Sequence, residues 1–211
     1  MTNLRKAIIT SLLMVVFAPG IMAQRKAQTS FDVVSTYVWR GVAFSGVSIQ
    51  PSFEYATSKA SIGIWGSQGI DGFQEMDPFA TFSITDEISL MVTDYYLPGT
   101  LYFSIESHAI EAGIQYQRNK WSFSGYYIFA GESSVGDDLY FESSYSTNEL
   151  TFFLGAGNGW HTSDSEYNLV NIGITKFDEL KINDTFSIPI STSVIFNPDS
   201  EQLFVLVGLG F

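Results

Sequence analysis

The last eleven residues, E-Q-L-F-V-L-V-G-L-G-F, constrain the fold more than any other stretch. Leu203, Val205, Val207, Leu209 and Phe211 alternate with Gln202, Phe204, Leu206, Gly208 and Gly210. A period of two is a strand period. The strand runs to the final aromatic, which in a soluble domain leaves an exposed apolar edge open to aggregation. A barrel closed within a membrane has no such edge. The rest of the chain must then supply the strands against which this one closes.

The same alternation predicts strands over Ser30–Arg40, Ser48–Thr57, Ala60–Ser67, Glu75–Thr85, Ile88–Leu97 and Ile105–Gln117. It continues over Trp121–Ala130, Asp137–Ser146, Glu149–Gly157, Glu166–Lys176 and Ile182–Phe196, about twelve strands with the last. Short turns (Ser58-Lys59, Asp86-Glu87, Arg118 to Lys120, Thr147-Asn148) alternate with longer loops such as Gly41–Val47 and Asn158–Ser165. A longer turn is expected at Phe177–Lys181. Alternating short and long joints are the habit of outer-membrane barrels. One face of most strands is Ser, Thr, Gly, Gln and Glu, and the other is large and apolar. A soluble barrel of this size has no room inside for so many Phe, Ile and Tyr. Lipid outside and a wet lumen inside is the arrangement that fits. The expected fold is all-β: a single antiparallel transmembrane β-barrel of about 12 strands with a polar lumen.

Two further features agree. Residues 1–23 read as a signal peptide, with Arg5-Lys6 before an apolar run from Ala7 to Phe17 and a small residue at Ala23. The barrel is then expected over 24–211. The chain has no cysteine, so disulfides, a lipidated cysteine and thiolate metal sites are absent. No cofactor is expected. With 22 acidic against 10 basic residues, nucleic acid is not expected as a partner.

The block Val34-Ser35-Thr36-Tyr37-Val38-Trp39-Arg40-Gly41-Val42 resembles the opening of the TorF family of porins, also called Gcw_chp. Gln50 to Tyr55, Gly63-Ile64-Trp65-Gly66-Ser67 and Asp94-Tyr95-Tyr96-Leu97-Pro98-Gly99 extend the likeness. It covers most of the chain after the leader, more weakly beyond Gly131. Thr36 stands where that family has an acid, and Ala43-Phe44 stands where it has Ser-Gln. The resemblance implies a porin-like outer-membrane barrel and supplies neither a solute nor catalytic residues.

Strand parity makes Arg40, Glu54, Glu75, Asp77, Glu111 and Glu142 the lumen candidates. A lone inward Arg40 needs a carboxylate, and Glu54, Glu75 and Asp77 on flanking strands are the expected partners. Bracing the barrel outweighs gating as its role. Many acids fall at the ends of strands expected to face outward, which suggests cation preference. His108 and His161 lie near Ser and acidic residues; a nucleophilic hydrolase needs that chemistry in hydrogen-bond reach, and it is the weakest of three readings. The first is passive diffusion of small solutes. The second is a closed structural or surface-binding barrel. Trp39, Trp65, Trp121 and Trp160 are expected in the aromatic girdles. Expected partners are outer-membrane lipids, lipopolysaccharide, and the barrel-assembly machinery through the strand ending at Phe211.

Overall fold

The computed structural model describes residues 26–134 and 136–211; the expected leader, Met1–Ala23, lies outside them. Twelve antiparallel strands form a closed barrel in sequence order around the wall. They are β1 (Lys26–Val34), β4 (Ser48–Ala56), β5 (Ala60–Gly69), β6 (Gln74–Ser83), β7 (Ile88–Tyr96) and β8 (His108–Arg118). They continue with β9 (Trp121–Gly131), β10 (Leu139–Ser146), β11 (Leu150–Gly157), β12 (Asn168–Asn183), β13 (Phe186–Asn197) and β14 (Gln202–Gly210). Two further strands, β2 (Tyr37–Trp39) and β3 (Val42–Ser45), pair only with each other.

The wall is inside out relative to a soluble protein. Ile49, Phe53, Phe82, Ile114, Phe123 and Phe141 alternate along their strands with polar neighbours, and each is between 44% and 52% exposed. Such faces occur on every side of the barrel and need lipid against them. Many of the inward wall residues are small and polar, with large aromatic rings gathered around the hairpin. Hydroxyls meet across strands at Ser30 and Ser52 (2.8 Å), Ser146 and Thr151 (2.9 Å), and Thr175 and Ser193 (2.8 Å). Hydroxyl pairs of this kind satisfy one another across neighbouring strands and add to the strength of the sheet. The buried apolar core is small: Tyr95, Ala109 and Ile128, packed against Trp39 and Trp160.

Three expectations are corrected. The first strand does not run to Arg40. It leaves the wall after Val34, where Ser35 N–H donates to Val207 O (2.9 Å) and Ser35 Oγ accepts from Val207 N–H (2.9 Å). Residues expected as strand and loop, Tyr37–Ser45, instead form the β2–β3 hairpin inside the barrel. The turn expected at Phe177–Lys181 is strand, and the chain reverses at Asp184-Thr185. Asn183 Oδ1 accepts from Thr185 N–H and Oγ (2.9 and 3.0 Å), a local bond that fixes the reversal there, while 177–181 stays paired with β13. Three of the four tryptophans are not girdle residues: Trp39, Trp65 and Trp160 face inward, whereas Trp121 is on the outer face and 51% exposed.

The barrel closes through a short seam. β1 and β14 share three register pairs, against eight between β13 and β14. Phe211 extends the seam: its N–H and C=O exchange hydrogen bonds with Phe31 (3.0 and 3.1 Å), and the two rings stack at 4.8 Å. Deleting Phe211 removes both bonds and the stack, each worth about 0.5–1.5 kcal/mol. The folded band in heat-modifiable gel migration is expected to be lost at a lower temperature than in the wild type.

Candidate functional site: the hairpin across the lumen

The hairpin turns at Arg40-Gly41, where φ is +50° and +83°. Two successive positive φ values make the two-residue turn whose twist suits a tight hairpin, with glycine at the second position. The tip touches the wall at β12 and β13 and, through Arg40, reaches β8 on the far side. Gly41 O accepts from Asn197 Nδ2 on β13 (3.0 Å). A Cβ on Gly41 would overlap the carbonyl oxygen of Val170 on β12, so only glycine fits this approach.

Arg40 anchors the tip. Nη1 and Nη2 donate to the two oxygens of Glu111 on β8 at 2.6 and 2.9 Å, a bidentate pair in which both side chains are nearly buried. Tyr95 hydroxyl donates to the same carboxylate (2.9 Å). The guanidinium carbon lies 4.1 to 4.6 Å from the ring centres of Trp39, Tyr126 and Tyr140. An aromatic cage supplies attraction to a cation that has left water. Tyr140 hydroxyl donates to Glu142 (2.5 Å), and Asn171 Nδ2 donates to both (3.0 and 2.9 Å). Tyr140 is thus the link between Arg40 and Glu142.

At the root of the hairpin, Tyr37 packs on Trp65, Phe44 and Phe73, with ring centres 5.4 to 6.0 Å apart. Its hydroxyl lies beside the Glu75 carboxylate. Trp39 packs on Tyr95, Trp160 and His161. The hairpin therefore crosses the half of the lumen nearer the longer loops. The other half is lined by Ser61, Thr81, Ser89, Gln115, Ser122 and Ser144, all half-buried.

The six lumen candidates thus fall into groups. Arg40, Glu111 and Glu142 meet at the hairpin tip. Glu75 and Asp77 sit together on β6 beside the root. Glu54 pairs in register with Gly63 and joins neither group. The partner expected for Arg40 is corrected: it is Glu111, not Glu54, Glu75 or Asp77, because the hairpin carries Arg40 across the barrel away from those strands. Tyr95, Tyr126, Tyr140, Asn171 and Asn197 were missed. Arg-Gly between Trp39 and Val42 was the one signal that marked the turn.

The two histidines are engaged structurally. His108 Nδ1 contacts both oxygens of Asp94 (2.9 Å), and Nε2 contacts Tyr102 O (2.5 Å). This pins the loop between β7 and β8 against the wall. His161, in the loop between β11 and β12, is 2% exposed between the rings of Trp39 and Tyr140, each 4.9 Å away. Burial, aided by the nearby Arg40 charge, pushes its pKa from 6.5 down to about 3. The unfolded chain takes up this proton near pH 6.5 and the native one only near pH 3. Between those values the unfolded state binds more protons, so stability falls as pH drops through that window, by at most about 1.4 kcal/mol per pH unit. His161→Gln is expected to flatten that limb in thermal unfolding measured against pH.

No protein-family model matches the chain, and no curated protein matches it. The likeness to TorF porins therefore rests on the quoted residues alone. Similar solved structures include one described as "Asymmetric conductivity of engineered proteins", with 14% identity, a TM-score of 0.45, and coverage of 82% of this chain and 63% of that one. Two triple mutants of the Rhodopseudomonas blastica porin each show 14% identity, a TM-score of 0.44, and coverage of 78% and 55%. The chain spans less than two thirds of the length of each. The barrel assignment stands on the strand ladder itself.

Proposed function

We propose that this chain is exported by its leader, residues 1–23, and works in the cell outer membrane as a small TorF-type porin. It passes small solutes passively, through a lumen that the β2–β3 hairpin narrows. The observation that carries this reading is a closed barrel with a lipid-facing exterior and a hydroxyl-lined interior crossed by one pinned hairpin. Cation preference follows from the lumen charges: Glu54, Glu75, Asp77, Glu111 and Glu142 face in, and Arg40 offsets one of them. Lipids and lipopolysaccharide surround the belt. The strand ending at Phe211 is the element offered to the barrel-assembly machinery.

A closed structural or surface-binding barrel is the second reading, and the pinning of Arg40 by Glu111 favours it. Planar-bilayer recording in a KCl gradient separates the two. Discrete small steps with a cation-selective reversal potential support the porin. Steps without selectivity remove the cation preference. A silent bilayer, with gel migration showing a folded barrel, leaves the closed reading.

A further inference from the structure

β6 turns Glu75 and Asp77 to the same inward face, two residues and so about 7 Å apart along the strand. Ser67 on β5 lies directly opposite Glu75, and Trp65 lies directly opposite Asp77. All three polar residues are buried: Ser67 is 5% exposed, Glu75 7% and Asp77 5%. Glu75 Oε2, Asp77 Oδ1 and Ser67 Oγ have no hydrogen-bond partner. Neither acid forms a salt bridge among the described residues, and the one arginine that enters this half of the lumen is held by Glu111. Two carboxylates buried side by side without counter-charge cost several kcal/mol each, so the site calls for positive charge.

We infer that Glu75, Asp77 and Ser67 form a binding site for one divalent cation of the calcium class. The free donors are all hard oxygens, two carboxylate and one hydroxyl. Calcium tolerates irregular geometry and completes its shell with water, which suits a site built from two neighbouring strands. Tyr37 connects the site to the hairpin, because its hydroxyl reaches Glu75. The cation ties the root of the hairpin to β5 and β6, as Arg40 ties the tip to β8. The site does not depend on the barrel conducting.

The test is a titration of the folded, chelator-treated barrel with Tb³⁺, exciting tryptophan and reading terbium emission. Trp65, opposite Asp77, is the sensitiser. Saturable emission that excess Ca²⁺ displaces is expected. Glu75→Gln combined with Asp77→Asn should weaken the half-saturation by about tenfold or more, the scale on which altered metal sites lose affinity. Ser67→Ala should weaken it too, and serves where the double variant fails to fold. Glu149→Gln, in an exposed turn, should leave it unchanged. Ca²⁺ should raise the unfolding temperature of the wild type and not of the weakened variants. No tryptophan-sensitised emission, or emission that these substitutions leave unaltered, overturns the site.

Discussion

Gly41→Val is expected to expel the hairpin from the lumen. Gly41 has φ +83°, a conformation that costs an L-residue about 1–2 kcal/mol and a β-branched one more. The new Cβ would also overlap the backbone carbonyl of Val170, and a wall strand cannot step aside as a flexible side chain can. With the tip displaced, Asn197 loses its acceptor and Glu111 loses its cation. Trypsin reads the outcome directly. In the wild type Arg40 is caged by Trp39, Tyr126 and Tyr140, so the Arg40–Gly41 bond is expected to resist cleavage in the folded barrel. In Gly41→Val that bond becomes the first site cut, while gel migration still shows a closed barrel.

Glu111→Gln is the second large effect. The substitution keeps the size of the side chain and leaves the Arg40 guanidinium without its counter-charge. Removing one member of a buried, bidentate pair costs about 3–5 kcal/mol, mostly because the remaining charge is stranded. Tyr95 loses its anionic acceptor at the same time. The barrel is expected to melt at a lower temperature, and the hairpin is expected to yield to protease sooner. Arg40→Lys should recover little, since an ammonium cannot make both bonds to Glu111 or stack flat in the aromatic cage. Equal melting temperatures for the wild type and Glu111→Gln would mean that the tip is not held by this pair.

The wall was legible because its period is two and its turns carry turn residues. β4, β5, β9, β11 and β14 lie within about two residues of the sequence-predicted spans. The hairpin was not legible by the same rule. Tyr37, Trp39 and Arg40 continue the alternation of β1, and a strand that folds into the lumen has the same period as one that stays in the wall. What separates them is the pair of positive φ angles at Arg40-Gly41, which only the Arg-Gly dipeptide hinted at. Trp65 is instructive in a different way. It shares the face of Ser61, Gly63 and Ser67, so parity alone placed it inside, and its residue type suggested the girdle. The partner of Arg40 could not be read from neighbouring strands. Glu111 is 71 residues away, and the two meet only because the barrel closes around the hairpin.

The most direct test of the hairpin's role is single-channel recording on a variant in which Tyr37–Ser45 is replaced by a short glycine-serine link, beside the wild type in the same bilayers. Gel migration first establishes that both are folded. If the hairpin fills half of the lumen, the shortened variant conducts several-fold more than the wild type, or conducts where the wild type is silent. Equal conductance in the two would contradict the placement of the hairpin across the path.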